Sequence, residues 1–271
     1  MEDTPVCSVR AAVLGGSRLE PKEASGWTEL ISRTWTSGTQ TRKEQDISEA
    51  IEGMAASLSA VGGRNSLSLS LDMLTPFQKE ASEIFFDVFK NSVFPESVID
   101  REKTIQINQI RSKRDNPAQI CMSHFMKGVF GHHPYSKESL GTEEGVASIT
   151  SQQLYDLWQK WIFGHRRHWV LTGKVDVDFW LNLIRQQHLS QGKPHPGAPP
   201  FSAPSRSIYH FEKIEKEQSH LVYGFSGLRL VDEDVYALQL IQSVLAGQGG
   251  RLFIEIRDKN SLAYSVSPLR M

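Results

Sequence analysis

The sequence has few cysteines, a net charge close to zero and no long apolar runs. Its two cysteines, Cys7 and Cys121, stand far apart and outside any CxxC or Cys/His cluster, so no disulfide framework is predicted. No apolar run approaches the roughly 20 residues that a membrane-spanning helix needs. The net charge is −1, from 30 basic and 31 acidic residues, whereas binding to nucleic acid or to an anionic membrane favours a strong basic excess. We therefore expect neither nucleic acid nor membrane as a partner.

Two further absences concern location and metal chemistry. The first residues, MEDTPVCSVR, include early acids and no apolar core of signal-peptide length, which favours a cytoplasmic location. Histidine is missing from residues 1–121, so the first part of the chain offers no imidazole to a metal ion. What is present is ordinary: 39% hydrophobic and 23% charged residues indicate a folded globular protein.

Periodicity in the first part of the chain predicts alternating groups of strands and helices. Apolar and polar residues alternate at 6–14, 58–61, 66–71 and 168–175, and Gly62-Gly63 joins the second and third of these strands as a hairpin. Apolar residues at helical spacing predict helices at 27–35, around 47–55, and at 77–89, 95–114, 117–130, 150–162 and 177–189. This order predicts an α+β fold, with a mainly antiparallel sheet covered on one face by helices.

A change in composition predicts where this domain ends. The stretch GKPHPGAPPFSAPS, at 192–205, contains five prolines and two glycines and almost no large apolar residue. We predict a first domain at 1–190, a Pro/Gly-rich linker at 191–206 and a second segment at 207–271. The residue pattern of the second segment predicts strands at 207–212, 220–225 and 262–267 and helices at 232–246 and 251–257. We interpret this segment as the N-terminal part of a second, homologous repeat that is cut short.

A series of motifs runs through the chain in a fixed order. It begins with Gly15-Gly16-Ser17-Arg18-Leu19-Glu20, followed by Gly26 and Gly38-Thr39. Four more follow: Gly131-His132-His133-Pro134-Tyr135, Gly173-Lys174-Val175-Asp176, Glu217-Gln218-Ser219-His220-Leu221, and Arg251-Leu252-Phe253 with Arg257 and Leu262-Ala263-Tyr264. The series resembles the pitrilysin/insulinase family of zinc peptidases, in which Gly-Ser-Arg-x-Glu, Gly-x-x-His-x-x-Glu-His and Gly-Thr surround an inverted zinc motif on a helix.

The resemblance implies a chemistry that this chain does not carry. The family uses two histidines one helical turn apart, a glutamate as general base and a carboxylate from a later helix as third zinc ligand. The matching positions here are Glu29 and Arg33 for the histidines, Ser32 for the base and Gln109 for the third ligand. We therefore expect no metal and no catalytic residue in this chain. Glu102, where the family often keeps a supporting acid, is interpreted as a solvated helical charge.

The histidines elsewhere have simpler interpretations. His132-His133 belongs to a turn, and His165 and His168 flank Arg166-Arg167, whose positive charges disfavour a metal. Neither pair is predicted as a metal site.

By resemblance, the chain is a non-catalytic, zinc-less half of a zinc-dependent metalloendopeptidase that forms the wall of a substrate chamber. Arg257 and Tyr264, seven positions apart, match a pair that binds the peptide backbone in the family. The residues alone also allow an ordinary ion pair of Arg257 with Glu255 or Asp258 and packing of Tyr264 under a strand. The expected partners are a peptide substrate and a complementary zinc-bearing half or subunit. The alternative is a stand-alone non-catalytic subunit, of the processing-peptidase or respiratory-complex-core type.

Overall fold

A computed structural model describes residues 4–187, 192–197 and 199–270. The chain divides into two compact units, one ending at Leu221 and one beginning at Val222. The predicted domain boundary at residues 190–191 and the predicted end of the helix at 188–189 lie outside the described residues. Within the described ranges, no helix is long and apolar enough to cross a membrane.

The first unit is built on one antiparallel sheet. Its strands are β1 (Val6–Leu14), β2 (Ser57–Gly62), β3 (Ser66–Leu74) and β4 (Arg167–Gly173), in the order β2-β3-β1-β4. Val9 of β1 pairs with Leu71 of β3 on one side and with Leu171 of β4 on the other. Alternation along β1 and β3 turns their apolar side chains, Val9 and Leu71 among them, to the buried face. The predicted antiparallel sheet is confirmed.

Helices pack against the apolar face of this sheet and against one another. They are α1 (Trp27–Thr34), α2 (Glu44–Gly53), α3 (Gln78–Asn91), α4 (Glu96–Arg114), α5 (Pro117–Phe130), α6 (Glu143–Ala147), α7 (Ser151–Gly164) and α8 (Val177–Gln186). Large aromatic side chains fill the layer between helices and sheet, and Trp35 and Trp158 meet there edge to face at 6.3 Å. The α+β fold class predicted from periodicity is confirmed. The sequence analysis missed the short α6.

The second unit contains helix α9 (Val235–Leu245) and a π-helical segment, Phe253–Lys259. These match the helices predicted at 232–246 and 251–257. The strands predicted at 207–212, 220–225 and 262–267 are wrong, since these residues have no regular secondary structure. Alternation of side chains describes a single extended segment, but a strand forms only when a neighbour pairs with its backbone groups, and these segments pair with none of the described strands.

Candidate functional site

The first motif of the chain holds the N-terminus of α1 against the sheet. Gly16 has a φ of +61°, and a Cβ there would lie 2.1 Å from the carbonyl oxygen of Gly63 in the β2–β3 turn. Four residues later, the buried Glu20 carboxylate accepts hydrogen bonds from the backbone N–H groups of Gly26 (2.9 Å) and Thr28 (2.5 Å). Glu20 thus does the work of an N-cap side chain for α1, whose N-cap residue is a glycine. Burial raises the pKa of the Glu20 carboxyl despite these bonds.

Helical periodicity separates the buried residues of α1 from the positions that the family resemblance singles out. Leu30 and Ile31 are fully buried in the core. Glu29, Ser32 and Arg33 are only half-buried, and Arg33 reaches across to α4. Positions four apart lie one above the other on a helix, so Glu29 and Arg33 share one face. These are the positions that the family resemblance equates with the two zinc-binding histidines.

Helix α4 presents a matching stripe at positions 102, 106 and 109. Gln106 is fully buried, and its Nε2 donates to the carbonyl oxygens of Gly26 (3.0 Å) and Leu140 (2.8 Å). This amide fixes α4 beside the N-terminus of α1. A Cβ on Gly26, whose φ is +100°, would lie 2.6 Å from Leu140 O, so this junction requires glycine. The sequence analysis missed Gln106, because a polar residue on an amphipathic helix gives no sign of burial.

The structure brings Glu29, Arg33 and Gln109 together around one guanidinium. Nε of Arg33 donates to Glu29 Oε1 at 2.9 Å, and Nη2 donates to Gln109 Oε1 at 2.7 Å. The side chain of Arg33 is 21% exposed, so the group is partly shielded from water. Ser32 is turned inward to its own helix, where its hydroxyl donates to the Glu29 carbonyl oxygen at 2.8 Å.

Glu102 is the fourth residue of the cluster around Arg33, and its surroundings differ from those expected from the sequence. Its side chain is only 12% exposed, and it accepts a hydrogen bond from Nε of Arg101 at 3.1 Å. A second oxygen lies 3.9 Å from Nη1 of Arg33. The interpretation of Glu102 as a solvated helical charge is therefore wrong. The error arose because hydrophobic periodicity cannot show that a cation on another helix faces this position.

These residues do not fit a zinc ion. Zinc in proteins takes lone pairs from imidazole, thiolate or carboxylate groups in a tetrahedral arrangement. Arg33 has only donors and a permanent positive charge, and it lies against the Glu29 and Gln109 oxygens, where the ion would have to lie. The Arg33 guanidinium thus already pairs with the Glu29 carboxylate and donates to the Gln109 amide oxygen, and a dication added beside it would be repelled.

Arg257 and Tyr264 also come together, within the second unit. The Arg257 guanidinium lies 4.5 Å from the centroid of the Tyr264 ring and 4.7 Å from that of Phe253. It donates to the backbone oxygen of Tyr264 at 3.2 Å. The nearby Glu255 pairs with Lys259 instead. The Tyr264 side chain is not packed under a strand, because the residue is 83% exposed.

Comparison with known proteins identifies the family of this chain. The model for insulinase (peptidase family M16) matches residues 1–143, and the model for the peptidase M16 inactive domain matches residues 148–269. An uncharacterized zinc protease of Bacillus subtilis is 27% identical over 98% of this chain and 66% of its own length. An uncharacterized zinc protease of Mycobacterium leprae is 27% identical over 96% of this chain and 61% of its own length.

Solved structures show the same fold. A crystal structure of a peptidase M16 inactive domain from Pseudomonas fluorescens superposes with a TM-score of 0.83 at 22% identity, over 97% of this chain and 65% of that one. A protease from Helicobacter pylori gives 0.78 at 17% identity, over 99% and 67%. The chain spans about two thirds or less of the curated relatives described above. With the insulinase model covering more than half of its residues, the chain belongs to peptidase family M16.

Proposed function

We propose that this chain is a non-catalytic part of an M16 metalloendopeptidase. It lacks the zinc centre of the family, forms a wall of the substrate chamber and binds the peptide. The observation that carries this proposal is the guanidinium of Arg33 held between Glu29 and Gln109, at the positions that bind the metal in the family. A zinc-bearing half or subunit supplies the hydrolytic centre. The substrate is a peptide.

The contacts of Arg257 support a role in peptide binding. Stacking between two aromatic rings limits the motion of the guanidinium without using its N–H groups. A guanidinium has several donors, and the bond to the Tyr264 oxygen engages only one of its nitrogens. The remaining N–H groups can donate to a peptide carbonyl, and the exposed Tyr264 hydroxyl can donate to the carbonyl oxygen that gains charge during hydrolysis.

Zinc analysis of the purified chain tests the loss of the family site. The chain, washed with chelator and reconstituted with zinc, is expected to hold no zinc that depends on Glu29, and to cleave no peptide. The matched control combines Glu29→His, Ser32→Glu, Arg33→His and Gln109→Glu on the same backbone. This variant should gain a zinc ion, because the α1–α4 contact already brings these positions within hydrogen-bond distance.

Two results would overturn the proposal. One is zinc bound by the unaltered chain and lost in Glu29→Ala. The other is peptide hydrolysis by the unaltered chain that a chelator abolishes. A folded control variant that gains no zinc contradicts the assignment of these positions to the family site.

A further inference from the structure

A cluster of metal-binding side chains lies on the outer side of α5, apart from the Arg33 site. His124 on α5 meets His210 and Glu212, which come from the segment after the proline-rich stretch. One donor atom from each residue lies within 4.8 Å of the others. Nε2 of His124 is 2.6 Å from Glu212 Oε2, and the rings of His124 and His210 stack with centroids 4.0 Å apart.

The segment that carries His210 and Glu212 runs along α5 in an unexpected orientation. Tyr209 and Phe211 are 90% and 89% exposed, while Ile208 lies against Gly128 and His210 and Glu212 face His124. Burial of the aromatic rings would normally decide which side of such a segment faces a helix. Here the large apolar rings face water, while His210 and Glu212, which are themselves exposed, lie beside His124.

The same segment follows the helix over more than one turn. Ile208 lies beside Gly128, His210 and Glu212 lie beside His124, and the carbonyl oxygen of His220 accepts a weak bond from Cys121 Sγ at 3.4 Å. The metal-binding side chains therefore stand in the middle of an extended contact and not at a frayed end.

We infer that His124, His210 and Glu212 form a binding site for one divalent transition-metal ion of the Zn²⁺ type. Two imidazoles and one carboxylate suit zinc, nickel or copper, whereas calcium and magnesium prefer oxygen ligands alone. Ligand bonds of about 2.0–2.2 Å place neighbouring donor atoms roughly 3.3–3.5 Å apart in a tetrahedron. The His124–Glu212 contact widens slightly to admit the ion, and the exposure of His210 and Glu212 leaves the fourth position to water.

This inference is independent of the proposed function, because the His124 and Arg33 clusters share no residue. The bound ion has a structural role. The ion joins α5 to the segment at 208–212, replacing a single hydrogen-bonded contact by three metal–ligand bonds. Because the ion binds only the folded chain, it raises the free energy of unfolding, and this gain grows with the logarithm of the free ion concentration once that exceeds the dissociation constant.

Zinc titration of the full chain tests the site, with a chelating dye as competitor and cobalt absorption as a report of coordination. We expect one zinc ion per chain. His124→Ala, His210→Ala and Glu212→Gln should each weaken zinc binding by at least about 10- to 100-fold. That is the range when a metal ligand loses only its hydrogen-bonded partner, so removal of the ligand itself should cost at least as much. Glu212→Gln keeps an acceptor for His124 and so separates metal binding from the contact itself.

His220→Ala is the matched control, because His220 contacts α5 through its backbone oxygen. It should bind zinc as the unaltered chain does, and so should Glu29→Ala. Absence of zinc binding, or binding that all three ligand variants retain, overturns this inference and leaves the proposed function untouched. Zinc lost in Glu29→Ala and retained in His124→Ala overturns both.

Discussion

At the scale of single residues, Asp87 of α3 holds the loop that follows α1. Its carboxylate accepts hydrogen bonds from the Thr39 hydroxyl (2.7 Å) and from Asn91 Nδ2 (2.8 Å), and pairs with Arg42. Burial raises the pKa of the Asp87 carboxyl, but the bonds from Asn91, Thr39 and Arg42 outweigh burial and lower it. A lowered pKa means that this carboxylate stabilises the fold above its unfolded pKa, and that the stability is lost as pH falls through the folded value.

Asp87→Asn is expected to lower the free energy of unfolding at neutral pH by about 1–3 kcal/mol, since it removes the charge that pairs with Arg42 and one of the two acceptor oxygens. The difference from the unaltered chain should begin to shrink as pH falls below about 3.9, the ordinary pKa of an aspartate, and should shrink further as pH passes the lower pKa of the folded chain. Urea unfolding at several pH values measures both effects. Asp100→Asn, at a side chain that is 70% exposed, is the control and should change little. A loss that is equal at all pH values contradicts the role of the Asp87 charge.

Tyr264 carries a second prediction at this scale, one that rests on the proposed function. In the enzyme reassembled with its zinc-bearing half, Tyr264→Phe should lower kcat by about 10²-fold or more, the cost of losing one donor to the developing oxyanion. Zinc content and circular dichroism should not change. Tyr223→Phe is a suitable control, because Tyr223 is also exposed but lies outside the motif. Unchanged turnover in Tyr264→Phe reduces the ring to a stacking partner of Arg257.

At the scale of elements, the contact between α1 and α4 depends on one buried amide. Gln106→Leu keeps a helix-forming side chain of similar length but removes the amide donor to Leu140 O and one of the two donors to Gly26 O, the other being Leu30 N–H. We expect a loss of at least about 1–3 kcal/mol in the free energy of unfolding. Gln152→Leu, on the exposed face of α7, should have little effect. Equal stability of the two variants in urea would show that water replaces the amide at no cost.

Elements also show what the sequence could and could not predict. Helices such as α3 and α5 follow from their own apolar spacing and their prolines near the start, since a helix satisfies its backbone within one segment. Strands β1 and β3 were predictable because both alternate and both find partners. The segments at 207–212 and 262–267 show the limit, because pairing is a property of two segments and alternation describes only one. For the same reason no local pattern could bring His124 to His210.

At the scale of the whole molecule, the proline-rich stretch remains the predicted site of first proteolysis. Hydrogen bonds join part of this stretch to other residues of the first unit. Lys193 N donates to Gly164 O at 3.0 Å, Arg166 N donates to Lys193 O at 2.9 Å, and Arg18 donates to Pro196 O at 3.2 Å. Residues 201–207 are exposed throughout. Limited trypsin digestion should therefore cut first after Arg206, in the exposed part, because backbone hydrogen bonds protect the part that contains Lys193.

Mass spectrometry of the early fragments identifies the first cut. A first cut inside 84–114 would show that the domain boundary is misplaced. Arg206→Gln serves as the control, and should slow the first cleavage without changing the stability of the fold.

The closed arrangement around Arg33 has a consequence for the history of the chain. A change of Arg33 to histidine alone would leave the Glu29 carboxylate and the Gln109 amide oxygen without their donor, and would bring no general base, because Ser32 remains. A change of Glu29 to histidine alone would set an imidazole beside a fixed guanidinium. Each of these single substitutions therefore removes an existing interaction and does not yet create a zinc centre. A zinc centre at these positions therefore requires Glu29, Ser32, Arg33 and Gln109 to change together.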